Sequence, residues 1–118
     1  MLKRLGLLGN VAKKDLPLLC RHIIRWCAKH GVSVHVDKSL SSLLTKGRKK
    51  KESFAIGNFN ECELVCIMGG DGFLLHAIRT LYPIKTPLLP VNLGSLGFNT
   101  QSEPNEVLDV LTRIHRHD

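Results

Sequence analysis

Two short glycine-rich segments hold the residues best suited to chemistry. The first is Gly69-Gly70-Asp71-Gly72. Three glycines remove side chains and let backbone amides approach a ligand closely. Such amides, with the start of a following helix, suit phosphate oxygens. Asp71 is the odd member, because a carboxylate repels phosphate. It needs a cation or a proton-bearing group as partner, and a hydroxyl about to be phosphorylated is one such group. The plainer alternative is a strand-to-helix turn with Asp71 capping the helix. The segment is neither a P-loop nor a Gly-x-Gly-x-x-Gly fingerprint.

The second segment is Asn92-Leu93-Gly94-Ser95-Leu96-Gly97-Phe98. Phe98 beside a glycine turn could stack on a purine, or simply fill a core. Gly94-x-x-Gly97 invites comparison with a KH-type nucleic-acid loop. That loop joins two helices and carries basic residues, whereas this segment follows a strand and carries Ser-Leu.

The surrounding pattern dictates how these turns are held. Leu5-Gly6-Leu7-Leu8 reads as a short buried strand, punctuated by Gly9 and Asn10. Asp15 as N-cap and Pro17 in the first turn open a helix. Leu16, Leu19, Cys20, Ile23, Ile24 and Cys27 recur on one helical face, and His30-Gly31 ends it. Val32, Val34 and Val36 alternate with Ser33 and His35, which predicts a strand. A short helix follows over 39–46, then a loop through Asn60. Leu64-Val65-Cys66-Ile67-Met68 is a continuous apolar run, the mark of a strand buried on both faces. A helix over 73–81 ends at Pro83. Leu88-Leu89-Pro90-Val91 predicts a strand near a sheet edge. A last helix opens at Glu103-Pro104, with Val107, Leu108, Leu111 and Ile114 on one face. Alternating strands and helices predict an α/β domain: an open, mostly parallel sheet flanked by helices. Both glycine turns then lie at carboxyl ends of strands, where such sheets bind ligands.

Composition agrees. The chain has 118 residues, 43% hydrophobic and 23% charged, enough for one domain with a real core. That excludes a collagen, a disordered tail and a disulfide miniprotein. The net charge is +7, of which Lys46, Arg48, Lys49, Lys50 and Lys51 supply five charges. A solvated basic loop explains this better than an RNA-binding surface or a localisation signal. Cys20, Cys27, Cys62 and Cys66 have no metal-binding spacing and read as buried, reduced thiols, as in a cytoplasmic protein. No apolar run is long enough to span a bilayer.

Taken together, Gly69-Gly-Asp-Gly-Phe-Leu-Leu-His76 and Pro90-Val-Asn-Leu-Gly-Ser-Leu-Gly-Phe98 resemble the NAD kinase family. Arg4-Leu-Gly-Leu-Leu-Gly-Asn10 is similar to that family's first strand. The likeness covers most of the chain and is weakest over 37–60. It implies a Rossmann-like, phosphofructokinase/NAD-kinase-like N-terminal domain over 1–118. It also implies transfer of a phosphoryl group from ATP, or in some members polyphosphate, to the adenosine 2′-hydroxyl of NAD. Mg²⁺ or another divalent cation would accompany the donor. Asp71 would be the catalytic proton acceptor. Asp71, Gly72, His76 and Phe98 would bind NAD. Gly69, Gly70, Asn92, Gly94 and Gly97 would form the phosphate-side turns. No residue is expected to hold a resident metal. A carboxylate of ordinary pKa, about 4, is a weak base, so Asp71 would orient the hydroxyl and take its proton late. The resemblance further implies a homo-oligomer of the full-length protein and no membrane or nucleic-acid partner.

Two departures stand out. The family usually has Thr after Gly-Gly-Asp-Gly, and this chain has Phe73, so a hydroxyl at the phosphate site is lost. A second, mostly β domain with an Asn-Glu or Asn-Asp pair for NAD has no counterpart here, so the chain alone is expected to be inactive. Three other readings stand beside the resemblance: a catalytically inactive short product that binds nucleotide or a full-length subunit; a diacylglycerol-, sphingosine- or phosphofructokinase-like enzyme; and a basic nucleic-acid binder.

Overall fold

The computed structural model describes residues 1–46, 54–93 and 103–117. Its elements in chain order are β1 (Arg4–Gly9), α1 (Leu16–His30), β2 (Ser33–Val36), α2 (Lys38–Thr45), β3 (Ala55–Ile56), a 3₁₀ turn at Phe59–Glu61, β4 (Leu64–Gly69), α3 (Asp71–Leu81), β5 (Leu88–Asn92) and α4 (Glu103–Arg116). All pairings in the five-stranded sheet are parallel, in the order β3-β2-β1-β4-β5.

That order places the helices. The chain steps from β1 to β2 and β3 in one direction, then from β4 to β5 in the other. Right-handed crossovers in opposite directions put their helices on opposite faces. Accordingly α1 and α2 cover one face, joined there by α4, which packs on α1. The opposite face is covered by α3 and the 3₁₀ turn, through Ala77, Phe73, Leu74 and Phe59. Strand side chains divide by parity, as the pleat requires. Leu5, Leu7, Cys66 and Met68 face α1, while Leu8, Val65 and Ile67 face α3. All six residues of β4 are buried, which explains its uninterrupted apolar run.

Local chemistry sets the helix ends. Gly31 closes α1 at φ +69°, a left-handed conformation that glycine adopts without penalty. Asp15 stands at the N-cap of α1 as expected, and its carbonyl accepts from the Leu19 amide at 3.2 Å, but its side chain makes no capping hydrogen bond. The side-chain cap belongs to α2, where Asp37 Oδ1 accepts from the Leu40 amide at 2.9 Å. The expected loop before β4 contains β3 and the 3₁₀ turn. The four cysteines are free and buried. Burial pushes the thiols of Cys20, Cys27 and Cys66 up to about 12 and that of Cys62 to about 11, so they are inert as nucleophiles. Among the described residues, no helix is long and apolar enough to cross a membrane.

Candidate functional site

The sheet changes winding direction between β1 and β4, and their carboxyl ends flank that switch point. Parallel sheets bind ligands there, because diverging connections leave a crevice. Gly9 pairs with Met68 in the register, and the Asn10 amide donates to the Met68 carbonyl at 2.9 Å. Gly69 and Gly70 then carry β4 directly into α3.

Gly70 occupies the cap position in extended backbone, and no side chain caps α3. Asp71 is the first helical residue, not the cap. Its carboxylate is exposed and makes no hydrogen bond or ion pair among the described residues. The capping alternative thus gives way to a carboxylate held at the mouth of the crevice. The three glycines serve different ends. A Cβ on Gly69 would come within 2.9 Å of both Cβ and Cδ2 of Phe73. A Cβ on Gly70 or Gly72 would meet nothing within 4 Å. Gly69 makes room for the protein itself, whereas Gly70 and Gly72 leave backbone open to a ligand.

The structure brings the start of the second segment beside the first. Asn92 ends β5 directly opposite Gly69, and the Leu93 amide donates to the Gly69 carbonyl at 3.1 Å. The second turn therefore leaves the sheet beside the first. On its outer side Asn92 lines a cavity of about 250 Å³ with Pro90, Glu106 and Val107. Gly94, Gly97 and Phe98 lie outside the described residues, as does most of the basic run.

His76 is exposed. Five residues of α-helix turn it about 140° from Asp71, so the two side chains leave different faces of α3. His76 lines a second cavity, of about 200 Å³, with Phe73, Asn10, Asp37 and Ser39. The Phe73 and His76 rings lie 6.4 Å apart at 48°. Phe73 is half-buried and packs with Leu74 and Leu81 against the α3 face of the sheet. Asp37 and Ser39 were not foreseen at the site. The available signal was a carboxylate at the end of β2, one strand from the switch point. A cavity of about 560 Å³, lined by Arg4, Ser33, His35 and Phe54, lies toward the amino ends of the strands, away from both turns. Among the described residues no group of three or more His, Cys, Asp or Glu could hold a metal ion.

Comparison with known proteins agrees with this arrangement. The sequence model of a family described as ATP-NAD kinase N-terminal domain matches residues 5–118. The NAD kinase of Methanosphaera stadtmanae is 30% identical over 115 residues, covering 98% of this chain and 41% of the relative. The NAD kinase of Citrifermentans bemidjiense is 32% identical over 112 residues, covering 95% and 39%. The NAD kinase of Chromohalobacter salexigens is 34% identical over 106 residues, covering 89% and 36%. The chain thus spans about two fifths of the length of the first of these relatives. A crystal structure of yeast NADH kinase complexed with NADH superimposes with a TM-score of 0.75 at 18% identity, covering 96% of this chain and 38% of that one. At that identity the likeness speaks for the fold. Readings as a lipid kinase, a phosphofructokinase or a nucleic-acid binder give way to these matches. With Asn92 in register beside Gly69 and the family match running over residues 5–118, this chain belongs to the NAD kinase family, in the region of its N-terminal domain.

Proposed function

We propose that the chain forms the phosphoryl-transfer half of an NAD kinase, with Asp71 acting on the adenosine 2′-hydroxyl of NAD and ATP as donor. The observation that carries this reading is the exposed Asp71 carboxylate at the switch point, between open glycine backbone and the Asn92 turn. In the reaction the 2′-oxygen forms a bond to the γ-phosphorus as the bond from that phosphorus to the β,γ-bridging oxygen breaks. The products are NADP and ADP, and the hydroxyl proton passes to Asp71 and then to solvent. Phosphoryl transfer asks mainly for positioning and charge neutralisation, with a base oriented on the attacking oxygen.

Gly72 would lie against NAD, and Phe98 would pack on its adenine. Gly69, Gly70, Gly94 and Gly97 would keep the turns open, with Asn92 fixing where the second one starts. A divalent cation such as Mg²⁺ would enter with the donor's phosphates and need few protein ligands. Polyphosphate as donor, a cytoplasmic setting and a homo-oligomeric full-length protein belong to the same reading. So does a second, β-rich domain supplying the other wall of the NAD site.

The test is Asp71→Asn in the complete enzyme. Loss of an oriented base should lower kcat by about 10²- to 10⁴-fold, while the Kd for NAD changes little. Unchanged turnover would remove Asp71 as the base.

A further inference from the structure

We propose that the cavity at the amino ends of β1 and β2 binds a small aromatic carboxylate that also carries an N–H or O–H donor. This site is separate from the crevice of the kinase reading. Arg4, at the cavity, and Gly9, at the crevice, are the two ends of β1. Five strand steps of about 3.3 Å put them about 17 Å apart.

The sheet itself makes the opening. β3 pairs only with His35 and Val36, so Ser33 and Val34 of β2 run beyond it on the amino side among the described residues. Ile24 and Val34 supply apolar wall there, and the half-buried Phe54 ring borders the space. At about 560 Å³ it falls within the ~300–1,000 Å³ of small-molecule sites. An aromatic wall favours a flat ring system as occupant.

The polar lining is Arg4, Ser33 and His35. Arg4 is the register partner of Ser33, and His35 follows two residues on, so all three rise from one face of the sheet. The Arg4 side chain is exposed and makes no hydrogen bond or ion pair among the described residues. Its guanidinium fork matches a carboxylate, to which the Ser33 hydroxyl can also donate. Arg4 is the one cation among the lining residues, and its charge is already drawn toward Glu63. A single negative charge therefore suits the site better than a phosphate dianion.

His35 sets the second requirement. Gly57, at φ +78°, turns the chain back after β3 and brings its carbonyl to 2.8 Å from His35 Nδ1. A carbonyl only accepts, so Nδ1 carries the proton and Nε2 of the neutral ring is an acceptor. His35 is 6% exposed, and Nε2 has no partner among the described residues. A buried acceptor left without a partner is costly. The occupant that satisfies it brings a donor to His35 and its carboxylate to Arg4.

The test is calorimetric titration of the full-length protein with three probes of one shape: 6-hydroxy-2-naphthoate, 2-naphthoate and 2-naphthol. The hydroxy acid should bind one to one. Naphthoate, which lacks the donor, should bind about 2- to 10-fold more weakly. Naphthol, which lacks the carboxylate, should bind about tenfold or more weakly than the hydroxy acid. Arg4→Gln should bring the hydroxy acid down to the level of naphthol. His35→Asn keeps an N–H for Gly57 and deletes the Nε2 edge, so it should make the two acids equal. Ala28→Trp, an exposed change on α1 that fills the cavity, should abolish binding of all three. The Kd for NAD should stay as in the wild type throughout. Naphthol binding as tightly as the acids would reduce the site to apolar adsorption and overturn it. Full affinity for the hydroxy acid in Ala28→Trp, with a wild-type melting curve, overturns it as well. So does displacement of the probe by NAD, which would place it in the crevice. If His35→Asn fails to fold, Arg4→Gln and Ala28→Trp, both at exposed positions, still decide. None of these outcomes depends on turnover, so loss of the kinase reading through Asp71→Asn leaves the site standing.

Discussion

On the face covered by α1, α2 and α4, the sheet presents Leu5, Leu7, Val34, Val36, Cys66 and Met68 to a continuous core that also includes Leu16, Ile23 and Leu111. On the face covered by α3, it presents Leu8, Val65 and Ile67 to a single helix of which only Ala77 is fully buried. Leu75, Ile78 and Tyr82 on that side remain 49%, 41% and 79% exposed. The first face therefore carries most of the apolar burial. The second carries Asp71, Gly72 and His76. Elements with few buried contacts open at lower free energy than the core, and ligand-binding parts are drawn from them. The thick face lets the thin one expose polar and glycine positions that add little packing.

The largest effects should separate the faces by stability alone. Leu7→Ala or Ile23→Ala removes a fully buried side chain from the thick face and should cost about 2–5 kcal/mol. Leu74→Ala on α3 removes a half-buried one and should cost about 1 kcal/mol, because much of its surface is already solvated. Urea denaturation of the three variants is the measurement. A cost for Leu74→Ala equal to that for Leu7→Ala would break the comparison.

The glycines of the first turn sharpen it on a smaller scale. Gly69→Ala forces a Cβ to 2.9 Å from Phe73 and should destabilise by about 1–3 kcal/mol, the usual range for overpacking. Phe73→Ala in the same chain should relieve part of that cost, since the two changes share one contact. Gly72→Ala meets open space in the first turn of α3. Helix propensity then favours the alanine by up to about 1 kcal/mol. A thermal melt should show no loss, while nucleotide binding weakens. A destabilised Gly72→Ala protein would mean that this glycine serves the fold and not a ligand.

How much of this was legible depends on where the deciding force acts. β4 announced itself, because both its faces are buried and every residue is apolar. The stripe of α1 was equally plain, with Trp26 at its edge, seven residues after Leu19. Trp26 is buried by partners from both its own helix and α4: the His30 ring, the His115 ring, and Thr112, whose hydroxyl accepts from its indole N–H at 3.1 Å. His35 alternates with valines and yet is buried, because β3 pairs beside it and its Nδ1 lies 2.8 Å from the Gly57 carbonyl. β3 itself has two exposed residues and no pattern to read; it exists because β2 offers an edge. The first glycine turn was legible as the joint between a buried strand and a helix. The register that sets Gly69 opposite Asn92 was not, since which strands neighbour each other is decided by the whole sheet. Asp37 and Ser39 reach the cavity beside His76 for the same reason.

The smallest expected effect tests the far end of the same two strands. The amides of Lys3 and Arg4 at the start of β1 both donate to Glu63 Oε1, each at 2.7 Å, just before β4 begins. Partial burial pushes the Glu63 carboxyl up. The two N–H donors and the positive charges of Arg4 and Lys3 outweigh that and hold it below its ordinary value of 4.5. The folded state thus favours the ionised form more than the unfolded chain does. Its contribution is complete above the unfolded value near 4.5 and is lost as pH falls through the lower folded value. Solvent screening keeps the contribution modest at so exposed a group. Glu63→Gln should lower the urea midpoint slightly at about pH 6, and the gap from wild type should shrink at about pH 3. A gap of the same size at both pH values would show that the side chain acts through shape and not charge. Because Glu63 sits at the amino ends, this variant should leave nucleotide affinity untouched. A loss of binding there would mean that the two ends of β1 and β4 are coupled, and that the division between a stabilising region and a reacting one is less sharp than the burial implies.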